Sequence, residues 1–116
     1  MLIDASGDPA YREEIEDTFL LLEENFYTLY QRCSTSEQKK HLSDTYSAAR
    51  YACWKVVKQA RPDEQSVDSS AFQDLKMANV QLAAMLQNLG DIGAFLSLAG
   101  EAVRLAALLA PPSVYT

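Results

Sequence analysis

The side chains with the widest chemical repertoire in this sequence are its single histidine and two cysteines, His41, Cys33 and Cys53. A zinc site or a Cys–His nucleophilic pair would require them to converge. The apolar spacing predicts that one helix ends at Cys33 and that Cys53 lies on the returning helix, roughly 25 Å away. A disulfide needs Cα atoms within about 7 Å. We therefore expect two reduced thiols, a solvated His41, and no metal, cofactor or catalytic residue.

Two clusters of acidic residues could supply paired catalytic carboxylates, one from Glu13 to Asp17 and the other at Glu23 and Glu24. Adjacent residues on a helix point about 100° apart, so neighbouring acids do not converge on one substrate atom. The first cluster also lies in the opening turns of a predicted helix, where the helix dipole favours negative charge. We interpret both clusters as a solvated face and expect that the protein is not an enzyme.

Net charge and composition narrow the classes of partner. The 116-residue chain has a net charge of −6, with 48% hydrophobic and 22% charged residues. Such an acidic domain lacks the excess of Lys and Arg that binds phosphates, so we expect no nucleic-acid partner and no attraction to anionic membranes. The first residues, Met1-Leu2-Ile3-Asp4, lack the basic region and the apolar stretch of a signal peptide. The expected location is the cytoplasm.

Apolar residues at intervals of three and four predict four helices, at about residues 9–33, 36–61, 69–89 and 92–110. Start and stop signals separate them: Asp8-Pro9, a capping box at Ser34 or Thr35, Arg61-Pro62, Gly90-Asp91 and Pro111-Pro112. The polar linker from Pro62 to Ser69 divides the chain into two pairs of helices. The sequence therefore predicts a single all-α domain over residues 1–116, a four-helix antiparallel bundle built from two αα-hairpins.

Opposite charges distinguish the first two helices. The first is mainly acidic and the second mainly basic. An antiparallel pair would bring Lys55 and Lys58 beside Glu13, Glu14 and Glu16, so we expect carboxylate–ammonium contacts between the two helices. Each exposed pair contributes only about 0–1 kcal/mol, so such contacts would select the neighbour more than stabilise the fold.

The second half of the chain is poor in charge. From Met77 to Ala110 the only ionised side chains are Asp91, Glu101 and Arg104. A membrane span is disfavoured because Glu101 and Arg104 fall near the middle of the apolar stretch, where each would cost roughly 2.5–3.5 kcal/mol. The fourth helix nevertheless has an apolar face wider than one neighbour covers. We expect its rim at Leu96, Val103 and Ala107 to be covered by another helix or another protein.

Two functions fit this surplus of apolar surface. The first is a protein-protein interaction module, such as an adaptor, a chaperone-like factor or a regulator, which self-associates through the last two helices; a homodimer is favoured. The second is a bundle that binds a lipid or another apolar small molecule in a pocket lined by Met77, Met85, Phe95 and Leu98. Neither function requires a cofactor.

Aromatic residues of the first hairpin are the remaining clue to a binding site. Tyr27, Tyr30, Tyr51 and Trp54 lie off the strict apolar stripes. They either flank the core against the second hairpin or form an exposed patch of the residue types that dominate binding hot spots, an interpretation that Arg50 beside them favours. The predicted partner-binding residues are therefore Tyr27, Tyr30, Arg50, Tyr51, Trp54, Leu96, Val103 and Ala107.

Overall fold

The computed structural model describes residues 10–58 and 69–110, which form four helices and, within those ranges, no strand. The helices are α1 (Ala10–Arg32), α2 (Ser36–Lys58), α3 (Ser69–Gln87) and α4 (Ile92–Leu109). The all-helical bundle predicted from the sequence is thus confirmed. The signals predicted at Asp8-Pro9, Arg61-Pro62 and Pro111-Pro112, and the linker before Ser69, lie outside the described residues.

Side-chain caps begin α2 and α4 where the sequence predicts them. Thr35 Oγ1 accepts a hydrogen bond from the backbone N–H of Gln38, and Gln38 Oε1 accepts one from the N–H of Ser34 at 2.8 Å. This is the Thr35 alternative of the predicted capping box, with the glutamine reaching one residue further back than usual. At α4, Asp91 Oδ1 accepts from the N–H groups of Gly93 and Ala94. Both caps satisfy backbone donors that the first helical turn leaves unpaired.

The helix α3 ends earlier than the apolar pattern predicts, at Gln87 and not at Leu89. The backbone N–H of Asn88 turns to the carbonyl of Met85, a tighter bond than the α-helical one. Leu89 stays half-buried against the core although it lies outside the helix. The apolar side chain of Leu89 therefore fits the helical spacing in the sequence, although its backbone is not part of the helix.

One core joins all four helices and is built from the predicted stripes. The described helices contribute Ile15, Leu22, Leu29, Leu42, Ala49, Val56, Leu75, Leu82, Phe95 and Leu109, all buried. The helix α4 packs against each of α1, α2 and α3, whereas α2 and α3 do not contact each other within the described residues. The wide apolar face of α4 is explained by this position, because three helices cover it.

The fourth helix also satisfies, by length and composition alone, the criterion for a membrane-crossing helix. Its 18 residues have a mean hydropathy of 1.7, and half of them are buried inside the bundle. A core helix that contacts three neighbours has the same composition, because burial on several sides removes the need for a polar face. The position of α4 therefore accounts for its apolar character.

The predicted ion pairs between α1 and α2 are not formed, and that prediction is wrong. In the part of the chain that the structure describes, the ion pairs join residues of the same helix: Arg12–Glu16, Lys40–Asp44 and Glu101–Arg104. Lys55 extends over the ring of Tyr51, with its Nζ 5.2 Å from the ring centroid. The two helices contact each other instead through aromatic side chains, since Tyr46 packs on both Phe19 and Phe26.

Candidate protein-interaction surface

A second helical stripe, distinct from the buried one, lies along both α1 and α2. Intervals of three and four residues place side chains on one face of a helix. On α1 the stripe consists of Glu13, Glu16, Leu20, Glu23 and Tyr27, and on α2 of Ser43, Ser47, Arg50, Trp54 and Val57, all exposed or half-buried. We call these two stripes, with the adjoining Tyr30, Tyr51 and Lys58, the outer hairpin face, after the hairpin that the sequence predicts.

Large aromatic side chains are exposed on the outer hairpin face. Tyr27 is 72% exposed, Tyr51 52% and Trp54 45%. Tyr30, Leu20 and Val57 are exposed as well. Of the two interpretations that the sequence left open, the exposed patch is the one that the structure shows. The α2 helix contacts the second pair of helices through α4, but Tyr51 and Trp54 lie on another side of α2 and remain exposed.

Neighbouring groups hold several of these rings in place. The rings of Tyr51 and Trp54 stack with centroids 6.0 Å apart and planes at 12°. The ring of Tyr30 stacks on Phe26 at 5.8 Å and carries Lys39 Nζ at 5.2 Å from its centroid. Gln31 Nε2 donates to the hydroxyl of Tyr27 at 3.0 Å. Rings fixed in this way lose little conformational entropy when another molecule covers them.

The charges of the outer hairpin face are segregated by helix. Between residues 10 and 32, α1 has six acidic and two basic side chains; between residues 36 and 58, α2 has five basic and two acidic ones, leaving His41 aside. Arg50 and Lys58 make no ion pair with any described residue, and neither does Glu13. Glu23 accepts a hydrogen bond from the hydroxyl of Tyr46 at 3.3 Å. An acidic strip and a basic strip thus run side by side.

The other predicted partner-binding residues lie elsewhere. Leu96 and Val103 are only 2% and 6% exposed, so they belong to the core and not to an accessible surface. The sequence left open whether another helix or another protein covers this rim of α4, and the helices of the bundle itself bury Leu96 and Val103. Ala107 is exposed and lines an open groove between α2 and α4 of about 600 Å³. The structure therefore separates Ala107 from the aromatic patch.

The groove between α2 and α4 is lined by small residues and by ionisable side chains. Its floor is made by small residues, Ala48, Gly100 and Ala107, and His41 lies across it. A Cβ added to Gly100 would lie 3.4 Å from His41 Nε2, so the glycine brings the imidazole close to the backbone of α4. The charges at the rim, Lys40 with Asp44 and Arg104 with Glu101, already pair with each other. Glu37 and His41 are the other ionisable side chains that line it.

The two cysteines, which are the residues with nucleophilic potential, lie buried or partly buried in the fold. Burial raises the pKa of the Cys33 thiol, although the positive charge of Lys39 opposes the shift, and the thiol donates to the carbonyl of Leu29. Burial likewise raises the pKa of the Cys53 thiol, and the charge of Glu16 adds to the effect. Both cysteines are free. Across residues 10–58 and 69–110, no three His, Cys, Asp or Glu side chains are grouped as a metal site would require.

The four residues predicted to line an apolar pocket are dispersed. Phe95 is fully buried in the core, and Met85 and Leu98 are partly buried against it. Met77 instead points outward with Val80 on the solvent side of α3. The sequence patterns did not identify Met77 and Val80 as surface candidates. The same is true of three other exposed residues, Leu20, Val57 and Leu108. For Leu20 and Val57 the signal was present: they repeat in phase with Tyr27 and Trp54 along the outer stripes.

Compared with protein-family models, with curated proteins and with solved structures, the chain matches none.

Proposed function

We propose that the protein is a non-enzymatic helical protein-protein interaction module that binds through its outer hairpin face. The observation that carries the proposal is the exposure of Tyr27, Tyr51 and Trp54 on two helices that pack against each other. Partners consistent with this face are another protein or a second copy of the chain, in the cytoplasm.

The chemistry of the face supports protein binding. Tyr, Trp and Arg are the residue types enriched in binding hot spots, and Trp54, Tyr51 and Arg50 lie within one helical turn of each other. Leu20 and Val57 add aliphatic surface between the aromatic side chains. Exposed apolar groups rimmed by charge are typical of protein interaction sites. Cys33, one of the two possible thiol nucleophiles, is buried and bonds to the carbonyl of Leu29.

The proposal includes the antiparallel arrangement of the two hairpins. Lys39, near the start of α2, lies over Tyr30, near the end of α1, while Tyr46 further along α2 contacts Phe26 and Phe19. Contacts that run in opposite order along two helices support an antiparallel pair. For α3 and α4, the charge of Asp74 near the start of α3 acts on Arg104 near the end of α4, which supports the second hairpin.

Self-association through the last two helices depends on a different surface. The outer side of α3 exposes Met77 and Val80 among Gln73, Gln81 and Gln87. It carries few charges, as the centres of interfaces do. It has fewer large side chains than the outer hairpin face and no aromatic one exposed. We therefore place the principal interaction on the hairpin.

Photo-cross-linking tests the proposal residue by residue. A benzophenone amino acid replaces Trp54, Val80 or, as a control on α4, the exposed Glu101, and each protein is irradiated in the cells that produce it. We expect adducts of defined mass from position 54 and none from position 101. Mass spectrometry distinguishes a second copy from another protein. Adducts from position 80 alone, or equal adducts from all three positions, would contradict a binding site on the hairpin.

A further inference from the structure

The charges of the outer hairpin face are complementary to those of the same face on another copy of the chain. Arg50 and Lys58 of α2 have no ion-pair partner among the described residues, and Glu13 of α1 has none. Lys55 lies over the ring of Tyr51 on its own helix. Arg12 pairs with Glu16, also on its own helix. Neither base therefore forms an ion pair between α1 and α2. Each copy therefore offers an acidic strip and a basic strip that, among the described residues, make no ion pair with each other.

We propose that a second copy of the chain covers the outer hairpin face, related by a two-fold axis that runs parallel to the helices. The inference rests on the proposed function and specifies its partner. Closed two-fold dimers bring the same patch of both subunits together, so such a patch must complement itself. This axis places the acidic α1 of each copy against the basic α2 of the other.

Charge decides the orientation of the axis. A two-fold axis lying in the face but perpendicular to the helices would stack α1 on α1 and α2 on α2. Acidic side chains would then face acidic ones, and bases would face bases. Like charges brought together at an interface cost several kcal/mol, whereas opposite charges guide association and fix its register. The perpendicular axis is therefore disfavoured, and the parallel axis forms both favourable contacts at once.

The position of each residue along the helix axis, which we call its height, determines the contacts expected between the two copies. Tyr46 lies level with the stretch between Phe19 and Phe26, because it packs on both rings. Arg50 is four residues further along α2 and thus level with Leu20, between Glu16 and Glu23. Rotation about an axis parallel to the helices preserves these heights. The Arg50 side chain of one copy then approaches Glu16 and Glu23 of the other. Trp54, one turn further along α2, lies level with Glu16 of the other copy.

Charge reversal in two complementary variants tests the arrangement. The first variant carries Glu16→Lys and Glu23→Lys, so both of its strips are basic. The second carries Arg50→Glu and Lys58→Glu, so both of its strips are acidic. Sedimentation equilibrium measures the mass of each variant alone and of an equal mixture, and circular dichroism confirms that each is helical. A control variant, Lys76→Glu on α3, changes charge away from the face.

We expect the unaltered chain and the Lys76→Glu control to form a dimer of twice 12.9 kDa. Each reversed variant alone should dimerise at least about tenfold more weakly, and mixing the two should restore the dimer, because α1 of each then opposes an α2 of opposite charge. Monomeric wild-type protein at all concentrations, a mixture that stays monomeric, or reversals without effect would overturn the inference. Monomeric protein whose position 54 still cross-links to another protein would overturn this dimer alone and leave the proposed function standing.

Discussion

The hydroxyl of Thr18 donates a hydrogen bond of 2.7 Å to Oδ1 of Asn79, and this buried contact links α1 to α3. The amide Nδ2 of Asn79 completes the arrangement by donating to the backbone carbonyl and to the carboxylate of Glu14. Both Thr18 and Asn79 are buried in a core that is mainly apolar. A buried polar group is tolerated only when its partners are present, so this contact fixes one alignment of α1 against α3.

Replacing Thr18 by valine keeps the shape of the side chain and leaves Oδ1 of Asn79 without its donor. We expect the variant to lose about 1–3 kcal/mol of unfolding free energy, the cost of a buried unsatisfied acceptor. Chemical denaturation followed by circular dichroism measures the loss. The control is Thr28→Val, at an exposed position of the same helix, which should change the stability by no more than about 0.5 kcal/mol. Equal effects of the two substitutions would show that the buried contact has no special weight.

The core position of α4 predicts a large effect at Phe95. This side chain is completely buried in the core, so Phe95→Ala should destabilise the fold by about 3–5 kcal/mol through lost contacts and a cavity. Leu108, one of the exposed side chains of the same helix, is the matched control. Leu108→Ala should shift the denaturation midpoint only slightly. If Phe95→Ala were as stable as Leu108→Ala, α4 would not be the central helix of the bundle.

The thiols provide a chemical test of burial. Because the pKa of the Cys33 thiol is raised by burial, little thiolate is present near neutral pH, and the sulfur is also covered by the fold. In a Cys53→Ser variant we expect Cys33 to react with a disulfide reagent more than about tenfold slower in native than in denaturing buffer. A Cys33→Ser variant should react faster, since Cys53 is only half-buried. Equally fast native reactions of both variants would contradict the position of Cys33.

Sequence patterns predicted the helices well because the information is local. The apolar spacing around Leu22 or Leu42 and the cap at Asp91 depend on residues within one or two turns. The coverage of Leu96 and Val103 was beyond the sequence, since an apolar rim has the same composition whether α2 or another molecule packs on it. Tyr51 and Trp54 were identified as candidates from their position off the stripes. Their exposure depends on which faces of α2 the helices α1 and α4 cover, which is a property of the whole bundle.

The charge pattern predicted the ion pairs between α1 and α2 wrongly for a related reason. Lys55 was expected to meet the acids of α1, but its ammonium group instead lies over the ring of Tyr51 on its own helix, in a cation–π contact. Long flexible side chains choose among several partners of similar energy, each worth a fraction of the total stability. The charge pattern of α1 and α2 therefore indicates which surfaces attract each other without indicating which atoms meet.

Asp17 allows a test of pH dependence. Its pKa is raised by partial burial and, to a lesser extent, by the negative charge of Glu14. The folded state therefore holds the proton more tightly than the unfolded state. The stability that this proton contributes is present below the ordinary carboxyl pKa and is lost as the pH rises through the raised value. Asp17→Asn should give a higher Tm than wild type at pH 7.

Thermal denaturation at a series of pH values distinguishes this effect from a general loss of negative charge. The gain in Tm of Asp17→Asn should shrink as the pH falls below the ordinary carboxyl pKa, where wild-type Asp17 is protonated in both states. Glu24→Gln, which removes another exposed acid of α1, serves as the control. A gain of the same size at every pH, or an equal pH-dependent gain in the control, would show that the environment of Asp17 is not its cause.

The fluorescence of Trp54 tests most directly whether a second copy of the chain covers the outer hairpin face, because Trp54 is the single tryptophan of the sequence and lies in that face. Emission and acrylamide quenching are measured from submicromolar to submillimolar protein, at low and high salt. The dimer predicts that dilution or salt shifts the emission to longer wavelength and increases quenching, as Trp54 returns to water. Emission and quenching that stay constant over the whole range would contradict it.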